Sequence, residues 1–129
     1  LLEKPITATL KEADILIEKA IKKNKLIQVG HIERFNPVVK MVKNMVNGVR
    51  FFESERLSPP VQRSTDIDVT LDLMIHDIDI ILSLNCKKII NSDAIGTKIL
   101  TEKIDIAKAW IEMENGTSAL FTASRVSEE

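Results

Sequence analysis

Between Leu71 and Leu84 an apolar run is interrupted by three carboxylates and one histidine: Asp72, His76, Asp77 and Asp79. On a helix advancing ~100° per residue, Asp72, His76, Asp79 and Ser83 fall within an arc of ~60°. Leu71, Leu73, Met74, Ile75, Ile78, Ile80, Ile81, Leu82 and Leu84 cover most of the rest. Such a helix has to be largely buried. Carboxylates and an imidazole taken out of water without partners would cost stability, so the polar stripe either satisfies itself or lines a cleft where chemistry can occur. Asp and His at i,i+4 can also pair simply to stabilise a helix, by roughly 0.2–0.5 kcal/mol, and the spacing alone leaves both readings open.

A chain of 129 residues can bury one modest core, so one domain or pieces of two are expected. Its 18 basic and 19 acidic side chains nearly cancel, and no basic cluster exceeds two or three residues, which argues against nucleic acid as a partner. No apolar run approaches the ~20 residues of a membrane span, and Leu1-Leu2 lacks the basic flank and length of a signal peptide. The expectation is a soluble, cytoplasmic protein without a membrane partner. A single Cys86 excludes an internal disulfide and, with no Cys/His cluster at zinc spacing, points to a reducing compartment and no metal. A metal site built from Asp72, His76 and Asp79 is the weaker idea. Since residue 1 is not Met, the natural protein is expected to begin upstream of it.

Local signals order the chain. Thr9-x-x-Glu12 reads as a capping box, and Leu10, Ala13, Ile17, Ala20 and Ile21 form an apolar stripe, so a helix is predicted from about Thr9 to Lys23. Leu26 to Val29 reads as a short strand ending at Gly30. Asn36-Pro37 is an N-cap and N1 pair, opening a helix that continues to Gly48 as its C′ residue. Val49 to Leu57 is strand-like, Ser58-Pro59-Pro60 breaks it, and a polar loop carrying Arg63 leads to the buried helix, placed at Val69 to Leu84. Strands are predicted over Lys88 to Ala94, Ile104 to Met113 and Ser118 to Val126, the last two joined through Asn115-Gly116, the strongest short hairpin signal. Ala107, Ala109, Ile111 and Met113 should share one face, as should Ala119, Phe121 and Ala123.

Glu3-Lys4-Pro5, the segment Gly30-His31-Ile32-Glu33-Arg34-Phe35-Asn36-Pro37 and Asp72-x-x-x-His76-Asp77 occur in this order. In them the chain resembles, over essentially its whole length, the glucose–fructose oxidoreductase, inositol dehydrogenase and rhizopine-catabolism (Gfo/Idh/MocA) family. The resemblance implies an α/β (α+β) fold: a C-terminal domain of helices packed on one face of an open, mainly antiparallel sheet. It makes residues 1–30 the remnant, last helix and strand, of an N-terminal Rossmann NAD(P)-binding domain. Residues 31–129 become the substrate-binding and oligomerisation domain, truncated at its C-terminus. Four glycines, Gly30, Gly48, Gly96 and Gly116, leave no G-x-G-x-x-G, so the main binding site for NAD or NADP is expected to be absent from this chain, and the fragment alone is expected to be inactive.

Oxidising a secondary alcohol requires a base on the hydroxyl proton as hydride leaves carbon. The resemblance assigns that role to His76, with Asp72 one turn earlier orienting the ring. Lys4 would offer positive charge to the developing alkoxide and the nicotinamide ribose, and Glu3, Lys4 and Pro5 would meet the cofactor; taken without the family, Lys4 reads as a solvated loop lysine. Arg34, Asn36 and Arg63 are substrate-binding candidates. Arg34 could hold a phosphate or carboxylate in bidentate fashion, while Asn36 has the plain alternative of a helix cap and Arg63 that of a surface arginine. His31 reads equally as a satisfied core histidine, and Asp77 and Asp79 as packing or supporting groups. The motifs look most like the nucleotide-sugar branch of the family, in which UDP-N-acetylglucosamine is oxidised at the sugar 3-hydroxyl for amino-sugar or lipid A biosynthesis. An inositol or other polyol dehydrogenase is the alternative substrate reading. A non-catalytic binding and assembly module is the alternative from another class, and homo-oligomerisation through the C-terminal sheet is compatible with either.

Overall fold

The computed structural model describes residues 1–60, 66–85 and 87–128. Its packing separates two units, Leu1–Ile32 and Glu33–Glu129.

The first unit is built around α1, Leu10–Lys22. Thr9 and Glu12 form the capping box reciprocally: the Thr9 hydroxyl accepts from the Glu12 N–H (3.3 Å) and Glu12 Oε2 accepts from the Thr9 N–H (3.0 Å), which satisfies two otherwise orphaned donors. No residue of α1 is buried. The strand expected at Leu26–Val29 is reduced to one parallel bridge between Leu2 and Val29, held by Leu2 N–H to Gln28 O (2.8 Å) and Gly30 N–H to Leu2 O (2.7 Å). A strand extends only where neighbours supply a ladder, and among the described residues Leu2 is the one neighbour here.

The second unit opens within a 3-10 turn, Ile32–Phe35. Asn36 then caps α2, Pro37–Met45, its Oδ1 accepting from the Val38 N–H (3.0 Å), with Pro37 in the first turn. The helix stops at Met45, short of the expected end, and Gly48 follows at φ +70°. A mixed four-stranded sheet comes next: β1 (Phe51–Leu57), β2 (Ile89–Thr97), β3 (Ile106–Met113) and β4 (Ser118–Ser124), in the order β1-β4-β3-β2. β3 pairs antiparallel with both β2 and β4, and β1 joins the edge of β4 in parallel. Two of the three pairings are therefore antiparallel.

Period-2 alternation decides the faces of the sheet. Ala107, Ile111, Met113, Ala119, Phe121 and Ala123 are buried on one face, where they meet Val69, Met74 and Ile81. Between β1 and β2 the chain forms the predicted helix, but not as a uniform α-helix. Thr70–Met74 is a π-helical turn, and regular α3 runs Ile75–Asn85. Burial is also narrower than expected, limited within those two elements to Met74, Asp77, Asp79 and Ile81. The remaining residues from Thr70 to Asn85 are half-buried.

Candidate functional site

The site is carried by α3 and the turn that leads into it. Asp68 starts the turn: its Oδ1 accepts from the Thr70 N–H (3.0 Å), the Leu71 N–H (3.0 Å) and, very closely, the Thr70 hydroxyl. Burial pushes the Asp68 carboxyl up, but these donors outweigh it and hold its pKa below the ordinary carboxylate value. Asp72 lies inside the π turn and His76 is the second residue of α3. Both are half-buried. The wider turn alters the angular step across Thr70–Met74, so the arc drawn on a 3.6-residue helix holds from Ile75 onward and not through Asp72.

Downstream of His76 two carboxylates face different ways. Asp77, ~40° around the helix from the core residue Ile81, points back to the sheet and receives the Arg56 guanidinium from β1 at 2.8 and 2.7 Å. Asp79, ~160° from Ile81, receives Arg34 from the 3-10 turn at 2.7 and 2.5 Å. Each carboxylate is 7% exposed, and each pair is bidentate. Hydrogen bonding to Asp77 raises the Arg56 pKa further, against the opposing effect of burial. His76 lies ~60° around α3 from Asp79 and ~100° from Asp77.

The other candidates are distributed as follows. Arg34 is half-exposed, its bidentate face turned to Asp79. Asn36 caps α2 and its amide also donates to Glu33 (3.3 Å). Arg63 lies outside the described residues. Glu3, Lys4 and Pro5 belong to the first unit, with the Lys4–Pro5 bond cis. There the backbone of Gly30 approaches so closely that an added Cβ would stand 3.2 Å from Leu2 O and 3.3 Å from Glu3 Oε2. Among the described residues no group of three or more His, Cys, Asp or Glu could hold a metal ion. Among the described residues no helix is long and apolar enough to cross a membrane.

Two features escape sequence reasoning. One is Arg56. The alternation of Phe51-Phe52-Glu53-Ser54-Glu55-Arg56-Leu57 sets it on the same side of β1 as Phe52 and Ser54, and an arginine on a covered face signals a carboxylate partner. The other is Asp105, fully buried, which gathers the N–H groups of Ile99, Leu100 and Thr101 (2.8–2.9 Å) and the Thr101 hydroxyl (2.7 Å) beside Arg125.

No family model matches the chain. Over its whole length it is 42% identical to a UDP-N-acetylglucosamine 3-dehydrogenase of Acidithiobacillus ferrooxidans, and it spans 42% of the length of that curated relative. The crystal structure of that enzyme superposes with a TM-score of 0.89, covering 100% of this chain and 43% of the enzyme's. Scyllo-inositol dehydrogenase of Lactobacillus casei with bound NAD(H) and scyllo-inositol shares the fold at 21% identity and a TM-score of 0.77, over 97% of this chain and 43% of that one.

Proposed function

We propose that this chain, which belongs to the Gfo/Idh/MocA family of oxidoreductases, forms the substrate side of an NAD(P)-dependent dehydrogenase that oxidises a sugar hydroxyl to a ketone. The substrate group is the 3-hydroxyl of UDP-N-acetylglucosamine, and the product feeds amino-sugar or lipid A synthesis in the cytoplasm. The observation that carries this reading is the pair Asp72 and His76, set at the start of a helix braced by two bidentate ion pairs, in a chain 42% identical throughout to an enzyme of that name.

His76 is the base that takes the hydroxyl proton. Asp72 orients the imidazole and stabilises its protonated form, the carboxylate-behind-histidine arrangement of other acid–base sites. Lys4 supplies positive charge to the alkoxide that develops on the sugar oxygen. Arg34 and Asn36 already serve Asp79 and α2, so contacts to the nucleotide sugar come in addition to those roles, and Arg63 is the third candidate for its diphosphate. A nicotinamide cofactor would accept the hydride. This chain has no glycine-rich phosphate turn to cradle a pyrophosphate, and Glu3, Lys4 and Pro5 are its candidate contacts to the cofactor. The outer sheet face, where Phe51 and Trp110 stack at 5.8 Å, is the surface for homo-oligomerisation.

The test is cofactor reduction by the protein joined to a complete nucleotide-binding domain, offered UDP-N-acetylglucosamine or inositol. Turnover of the nucleotide sugar is expected. Turnover of inositol alone would overturn the substrate and keep the chemistry. Turnover of neither substrate by an intact oligomer would leave the assembly module.

A further inference from the structure

We propose that the pairs Arg56–Asp77 and Arg34–Asp79 act together as a clamp that fixes the rotation of α3 and so the aim of the His76 imidazole. The four residues are then positioning residues, and the inference rests on the catalytic reading of His76 given above. Asp77 lies ~100° to one side of His76 and Asp79 ~60° to the other. Their arginines come from separate elements, Arg56 from β1 and Arg34 from the turn before α2.

Each guanidinium presents two parallel donors to one carboxylate, a planar fork that resists twisting as a point charge does not. One such contact would let the helix pivot about it. Two contacts ~160° apart around the axis oppose each other's rotations.

The other contacts described for the helix constrain the His76 end less directly: Asn85 donates to Met113 Sδ (3.0 Å) and accepts from Asn115 (3.3 Å), but at the far end of α3. Val69, Met74 and Ile81 hold it to the sheet through apolar contact, which is non-directional. The backbone immediately upstream is π-helical, so the α-helical register is established only one residue before His76. Both carboxylates are nearly solvent-free, and each depends on its arginine because a buried charge without a partner is strongly unfavourable. Apolar pairs of similar volume could secure the helix equally well. What the forks add is orientation.

The test replaces each pair as a whole, Arg56→Met with Asp77→Leu and Arg34→Met with Asp79→Leu, so that no charge is stranded. With two histidines in the chain, the ring carbon signal of His76 can be assigned by NMR using His31→Gln. In both folded double variants the His76 signal is expected to shift or broaden. In the protein joined to a complete nucleotide-binding domain kcat is expected to fall about tenfold or more, the scale of a misplaced reacting group, with KM for the cofactor unchanged. Arg56→Lys, which keeps the charge and loses the fork, should show a smaller loss of kcat. A His76 signal unchanged in both folded variants would overturn the clamp whatever the kinetics. Normal turnover in His76→Ala would instead overturn the catalytic reading alone, and the clamp would still stand or fall by the NMR signal.

Discussion

Asp105 shows how one side chain can organise a loop. Its burial pushes the carboxyl up, yet the N–H groups of Thr101, Ile99 and Leu100 and the Thr101 hydroxyl outweigh that and hold the pKa far below the usual range. A carboxylate depressed in the folded state contributes stability above its unfolded pKa of about 3.9, and loses it as pH falls toward the folded value. The chain is therefore expected to lose stability steadily below about pH 4. Asp105→Asn should cost about 3 kcal/mol at neutral pH, because it removes the charge beside the buried Arg125, and should flatten the acid limb. Urea unfolding at pH 7 and pH 3 measures both; equal stability of the two proteins at pH 7 would contradict the assignment. At this scale the sequence is legible where partners are close along the chain. Asn36 accepts from the Val38 N–H two residues on, while Asp77 and Asp79 meet arginines 21 and 45 residues away, a pairing that only the tertiary fold creates.

Elements closed by their own local chemistry are the ones the sequence announces. The Thr9–Glu12 box, the Asn36-Pro37 cap and the Asn115-Gly116 turn all form as written, because each satisfies its backbone within a few residues. In the hairpin, Gly116 N–H closes a turn onto Met113 O (2.8 Å) with Gly116 at φ +77°. There an added Cβ would also stand 3.2 Å from an Arg50 guanidinium nitrogen. Gly116→Ala should therefore destabilise the protein by about 1 kcal/mol, measured by thermal unfolding, while Gly48→Ala, equally left-handed but with open space around it, isolates the backbone part of that cost. An unchanged midpoint in Gly116→Ala would contradict the turn. The π turn and the parallel placement of β1 are not readable in the same way, since neither is closed by local chemistry: β1 finds its partner in β4, far along the chain.

At the scale of the whole molecule, the helix laid on the sheet carries His76 between two bidentate ion pairs, and burial follows the alternation of the sequence in β3 and the first half of β4, while Phe121, Thr122, Ala123 and Ser124 are all buried. The outer face was legible only as a surface in need of cover, because nothing local says what covers it. The catalytic reading depends on His76 more than on any other residue. The most direct measurement is steady-state kinetics of His76→Ala, in the protein joined to a complete nucleotide-binding domain, with UDP-N-acetylglucosamine as substrate. A kcat lowered by roughly 10²–10⁴-fold, with folding and cofactor binding retained, is the expected result; a kcat close to that of the unaltered protein would contradict it.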